Sequence, residues 1–85
     1  MILVTSALLA ILLNEPERNT FLDAIENAEI ILISTATVLE LSMVLKTRYG
    51  HEGLKQLHEF LALSGAEEVS FNVEQRKHAE SALLI

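Results

Sequence analysis

Residues 30–45, IILISTATVLELSMVL, carry a single ionisable side chain, Glu40, in a run that is otherwise apolar or hydroxyl-bearing. The opening Ile30-Ile31-Leu32-Ile33 is short and β-branched, which predicts a strand buried on both faces. Ser34 and Thr35 offer side-chain oxygens to cap a helix. The spacing predicts that helix over 35–48, stopped at Gly50, with Lys46 and Arg48 in its last turn where the macrodipole favours cations. Glu40 shares a face with Ala36, Thr37, Met43 and Val44, and the opposite face holds Val38, Ser42 and Leu45. Apolar residues on both sides predict burial nearly all round. An unpaired carboxylate there would cost several kcal/mol. Glu40 must therefore reach water, meet a cation or hydrogen-bond donors, or take up a proton. It reads either as a structural residue at a cleft edge or as a metal-binding carboxylate at the mouth of a site.

Eighty-five residues allow one domain with a modest core. A hydrophobic fraction of 51% is more apolar surface than such a length easily hides. That predicts a covering partner or a domain of which part is missing. A net charge of −6 argues against a nucleic-acid coat, which would be basic. It leaves open an enzyme acting on nucleic acid, because metal ions offset acidic residues. With no cysteine, disulfides and thiolate metal sites are excluded, and a reducing cytoplasm is compatible. Residues 1–13 are uncharged and apolar, but no Lys or Arg precedes them and no small-residue cleavage site follows. They are also too few to span a bilayer. The chain reads as having neither signal peptide nor membrane helix.

In order, the pattern predicts a strand at 1–4, a corner and N-cap at Thr5-Ser6, and a short helix over 7–13. Asn14 with Glu17 has capping-box spacing, and Pro16 suits a first turn, which predicts a second helix to about Ala28 with Phe21, Leu22, Ile25 and Ala28 inward. Its acidic residues read as a solvated outer face. Gly50 and Gly53 frame a predicted tight turn before a helix over 54–64 that Gly65 ends. Residues 68–71 alternate like a half-exposed strand, and Asn72 with Gln75 opens a last helix to Ile85. The apolar finish predicts a chain cut within that helix. The fold class is α/β: a partial three-layer arrangement in which a three-strand parallel sheet is flanked by helices, in the order β-α-α-β-α-α-β-α.

No Gly-rich phosphate loop is present, and His51, His58 and His78 lie at no metal-ligand spacing. What remains is the Thr5-Ser6 corner and Glu40, both near the carboxyl ends of strands, where parallel sheets place ligands. One carboxylate is a poor magnesium site by itself.

The series MILVTSALLAILLNEPE, FLDAI, ISTATVLELSMVL, RYG and VSFNVEQ resembles, in order and spacing, the opening of a PIN-domain toxin ribonuclease of the VapC type, from bacterial toxin–antitoxin pairs. The resemblance covers essentially the whole chain. It implies a parallel sheet flanked by helices, RNA cleavage with Mg²⁺ or Mn²⁺ held by acidic residues, a cognate antitoxin over the site, homo-oligomers, and a cytoplasmic setting without membrane attachment. Glu40 matches one acidic ligand of that set, and Ser6 and Thr5 match the hydroxyl positions beside another, an aspartate. The family pattern also has an aspartate before the Thr-Ser corner, and here a hydrophobic run leads through Val4 straight to Thr5. The remaining acidic ligands follow later than residue 85. These departures predict little or no nuclease activity for this chain. The alternative is a non-catalytic module that binds an antitoxin between the helices at 17–28 and 54–64, or that self-associates through an open edge at its first strand.

Overall fold

The computed structural model describes residues 1–70, and the helix expected over 72–85 lies outside the described residues. Three short strands, β1 (Ile2–Leu3), β2 (Leu32–Ser34) and β3 (Glu67–Val69), and three helices, α1 (Thr5–Leu12), α2 (Arg18–Asn27) and α3 (Thr35–Ser64), follow in the order β1-α1-α2-β2-α3-β3. The sheet is parallel throughout in the order β1-β2-β3, so the expected α/β class holds. Ile2 pairs with Leu32 and Leu3 with Ile33, while Leu32, Ile33 and Ser34 pair with Glu67, Glu68 and Val69. Leu3 and Ile33 are buried and join Leu8, Ile11, Leu41 and Leu57 in one core.

Local chemistry moves several expected boundaries. The N-cap of α1 is Val4, whose side chain cannot accept a hydrogen bond, so Thr5 and Ser6 lie inside the helix rather than capping it. Asn14 closes α1 instead of opening α2. It takes a left-handed φ of 56°, its N–H donates to the Ile11 carbonyl at 3.3 Å, and the Glu15 N–H donates to the Ala10 carbonyl at 2.8 Å. This pair of bonds is a Schellman closure, which asparagine tolerates because its short polar side chain eases the αL penalty. Pro16 then sits in a turn closed by the Arg18 N–H on the Glu15 carbonyl at 3.0 Å, and α2 starts at Arg18 without a side-chain cap. The guanidinium of Arg18 donates to the Ile11 carbonyl at the end of α1 and so fastens the two helices. The inward face of α2 is as expected, with Ile25 buried and Phe21, Leu22 and Ala28 packed beside it.

The second strand is displaced towards its carboxyl end. Ile30 is 64% exposed and only Ile31 and Ile33 are buried, so the run is not buried on both faces. Ser34 does cap the next helix, accepting from the Thr37 N–H at 3.0 Å. Helix α3 consists of two arms over residues 35–64, and the first stops at Gly50 as expected; the φ of 65° and ψ of −147° there are close to backbone open only to glycine. Gly53 is not part of a turn. It is buried in the second arm, and a Cβ there would lie 2.6 Å from the Leu45 carbonyl oxygen of the first arm. Nor is the first arm buried all round, since Leu39 and Met43 are 61% and 63% exposed. Gly65, at φ 73°, ends α3 as expected.

Two changes probe this framework in a chemical denaturation series. Gly53→Ala is expected to destabilise by about 1–3 kcal/mol, because the close approach to backbone leaves the methyl no room. Ser34→Ala is expected to cost about 0.5–2 kcal/mol through the lost cap. A Gly53→Ala midpoint equal to wild type would mean that the arms do not pack as described.

Candidate active site

Parallel pairing brings the carboxyl ends of the strands to one edge, and each is followed by hydroxyl side chains: Thr5 and Ser6 after β1, Thr35 directly after β2, and Ser70 after β3. The Ser34 hydroxyl, at the end of β2, donates to Thr37 Oγ1 at 2.8 Å. Thr35 Oγ1 donates to the Val69 carbonyl at 3.4 Å and lies 3.3 Å from Ser70 Oγ. These contacts tie the start of α3 to the end of β3.

The contact that joins the two expected halves of the site is between Thr5 and Glu40. The Thr5 hydroxyl, in the first turn of α1, donates to Oε1 of Glu40, thirty-five positions later and in the second turn of α3. Glu40 is exposed. The carboxylate in the apolar run is thus placed by a donor and by water, two of the outcomes open to it from sequence. It sits at the turn after the opening strand. Ser6 is also exposed, and its side chain makes no hydrogen bond among the described residues. Val4 is extended, at φ −111° and ψ 160°, immediately before the residue that holds Glu40.

The donor set is short of a metal centre. One carboxylate and one hydroxyl meet at this corner, and no cluster of three His, Asp or Glu side chains that could hold an ion occurs among the described residues. A hydrolytic site for Mg²⁺ or Mn²⁺ on a phosphodiester rests on more acidic oxygens than this. The described residues by themselves therefore do not fit such a group.

Two of the clefts among the described residues lie against α3. One is lined by Leu12, Leu13, Leu45, Tyr49, Glu52, Gly53 and Gln56, at the joint of α3. The other, about 710 Å³, runs between α2 and the second arm of α3, with Leu22, Ile25, Phe60 and Leu63 on its walls and Glu26 and Glu29 at its rim. Neither includes Thr5, Ser6 or Glu40. The strand-end corner is an open surface, and the grooves belong to the helices. No helix among the described residues is long and apolar enough to cross a membrane.

Comparison with known proteins agrees with this architecture. The PIN domain family model matches residues 1–85. VapC ribonuclease Mb0640 of Mycobacterium bovis and ribonuclease VapC30 of Mycobacterium tuberculosis are each 35% identical over 82 residues, which is 96% of this chain and 63% of theirs. Ribonuclease VapC of Mycolicibacterium smegmatis is 32% identical over 82 residues, 96% of this chain and 64% of its own. The chain spans a little under two thirds of the length of these curated relatives. With the parallel sheet, the strand-end corner and a match along its whole length, the chain belongs to the PIN-domain family and is similar to the VapC ribonucleases over nearly all its residues.

Proposed function

We propose that the chain carries the first part of a VapC-type endoribonuclease site, and that by itself it cleaves RNA slowly or not at all. The observation that supports this most is the Thr5–Glu40 contact at the carboxyl ends of the strands. In this reading Thr5 orients the carboxylate by donating to Oε1, which leaves Oε2 open to a ligand. Ser6, one position on, orients a ligand or water. Glu40 is the site carboxylate. The metal-dependent chemistry that the family implies, with Mg²⁺ or Mn²⁺ and an RNA phosphodiester, needs acidic oxygens beyond those found here, and no step is derived through the ion. The setting proposed is the cytoplasm, where RNA is available.

An RNA cleavage assay with Mg²⁺ or Mn²⁺ tests this reading. Wild type is expected to match Glu40→Gln at background. Efficient cleavage by wild type that Glu40→Gln abolishes would refute it. Val4→Asp probes the geometry of the corner. It places a second carboxylate next to the residue that holds Glu40 and supplies the side-chain cap that α1 lacks. It is expected to tighten Mn²⁺ binding by about tenfold, because affinity rises with ligand charge. Calorimetry showing equal, negligible binding in both proteins would sever position 4 from the site.

A second reading is supported by the groove between α2 and the second arm of α3. Its walls are largely apolar, Glu26 and Glu29 line it together with the single cation Arg18, and Leu63 stands 88% exposed. An amphipathic segment with apolar anchors and basic flanks suits it, which is the way a helix is held in a groove. We assign this groove to an antitoxin. Co-expression with the reading frame immediately upstream is expected to give a complex that Leu63→Glu weakens by about tenfold, the size of one lost anchor. A complex indifferent to that change would place the partner elsewhere.

A further inference from the structure

The acidic charge of the chain is unevenly spread. Residues 1–70 hold four Lys and Arg, and three of them, Lys46, Arg48 and Lys55, stand on α3 on either side of Gly50. Between Glu40 and Glu59 they meet one carboxylate, Glu52, so this stretch is cationic in a chain whose net charge is −6. Residues 46–52 are exposed without a break, the longest such run among the described residues. Lys55 is engaged with Glu59 at 4.0 Å, whereas Lys46 and Arg48 have no ion-pair partner among the described residues. At about 3.6 residues per turn, Tyr49 falls between these two cations around the arm. The macrodipole accounts for cations at the end of a helix, but not for an aromatic ring held 52% exposed between them. Tyr49 also borders the cleft at the joint, about 440 Å³, which Leu12, Leu13 and Leu45 line with apolar surface and Glu52 and Gln56 with a carboxylate and an amide.

We propose that the joint of α3 is a binding site for single-stranded RNA, with backbone phosphates on Lys46 and Arg48 and one unpaired base in the cleft, stacked on Tyr49. A ring flanked by cations suits a single strand, because every base has a π-face and every linkage a phosphate. A duplex keeps its bases stacked on one another and has none to offer the ring. Glu52 adds a preference. Its carboxylate only accepts hydrogen bonds, so it suits a base edge that donates from an exocyclic amino group, as cytosine does and uracil does not. His51, exposed at the start of the second arm, offers a ring N–H to a further phosphate oxygen. The site shares no residue with the Thr5–Glu40 corner and holds its ligand without a metal ion. The choice of RNA as the nucleic acid rests on the proposed function, whereas the binding needs no cleavage.

Fluorescence anisotropy with labelled oligonucleotides of about ten residues, a length that spans one such site, tests this on the full chain in EDTA. Oligocytidylate is expected to bind with a Kd on the order of 100 µM at low salt, and an RNA duplex about tenfold more weakly. Two phosphate contacts predict a slope of about −1.4 for log K against log salt, and Lys46→Ala and Arg48→Ala are each expected to reduce its magnitude by about 0.7. Tyr49→Leu is expected to weaken binding by about tenfold, the size of one lost stack, and to leave the slope unchanged, while Tyr49→Phe keeps wild-type affinity. Glu52→Gln is expected to remove the preference for oligocytidylate over oligouridylate. Tyr49 is the only tyrosine, so its ring resonances in the wild type are expected to move as the base stacks. Circular dichroism confirms that each variant is folded. Absence of binding at about ten times that Kd overturns the proposal. So do equal affinities for single strand and duplex, a salt slope that neither cation change alters, or ring resonances that stay in place at saturation. RNA cleavage by the same protein once Mn²⁺ is added would refute the inactive reading and leave this site standing, so the two fail separately.

Discussion

The site depends on side-by-side pairing of two very short strands. Parallel ladders over Ile2–Leu3 and Leu32–Ser34 point both carboxyl ends the same way, and the chain leaves each strand directly into a helix. The first residue of α1 and the second turn of α3 are therefore neighbours, although they lie far apart in sequence. An antiparallel arrangement would send the two helices from opposite edges and separate Thr5 from Glu40. Two paired residues in β1 are few for this task. What holds them is burial: Leu3 and Ile33 lie almost wholly inside, packed on Leu8, Leu41 and Leu57. The hydrogen-bond ladder sets the register and the core keeps it.

The second constraint is the joint in α3. A straight helix of that length would carry its far end past the small domain. Gly50 takes a conformation that a Cβ disfavours, and Gly53 lets the second arm lie against the Leu45 carbonyl of the first. Each glycine has a distinct task, one a backbone angle and the other a clearance. Together they fold the second arm back so that Leu57 reaches the same core as Leu45 and leaves the groove beside α2.

The apolar content of the chain is not consumed by this core. Leu39 and Met43 on one helix face and Leu63 beside the α2 groove remain in water. These patches lie on separate surfaces and differ in character. The face on α3 mixes apolar and oppositely charged residues, while the groove is largely apolar, with Glu26, Glu29 and Arg18 among its lining.

The division between sequence and tertiary structure follows the range of the forces involved. Short-range signals were legible: the cap at Ser34, the stop at Gly65, the inward face of α2, and the order of elements on which the resemblance to PIN-domain ribonucleases rests. Each reflects hydrogen bonds or periodicity within a few residues. Where two local readings competed, sequence alone chose wrongly. Asn14 can cap a helix start or close a helix end, and the Schellman bonds available to it at the end of α1 decided for the latter. Residues 30–45 marked Glu40 as an anomaly but gave no partner for it, and they overstated burial, because exposure depends on what the rest of the chain lays against a face. Only the packed sheet brought Thr5 to that carboxylate, left Ser6 exposed, and kept Met43 in water. Those outcomes are set by contacts between residues distant in sequence, which local pattern does not encode.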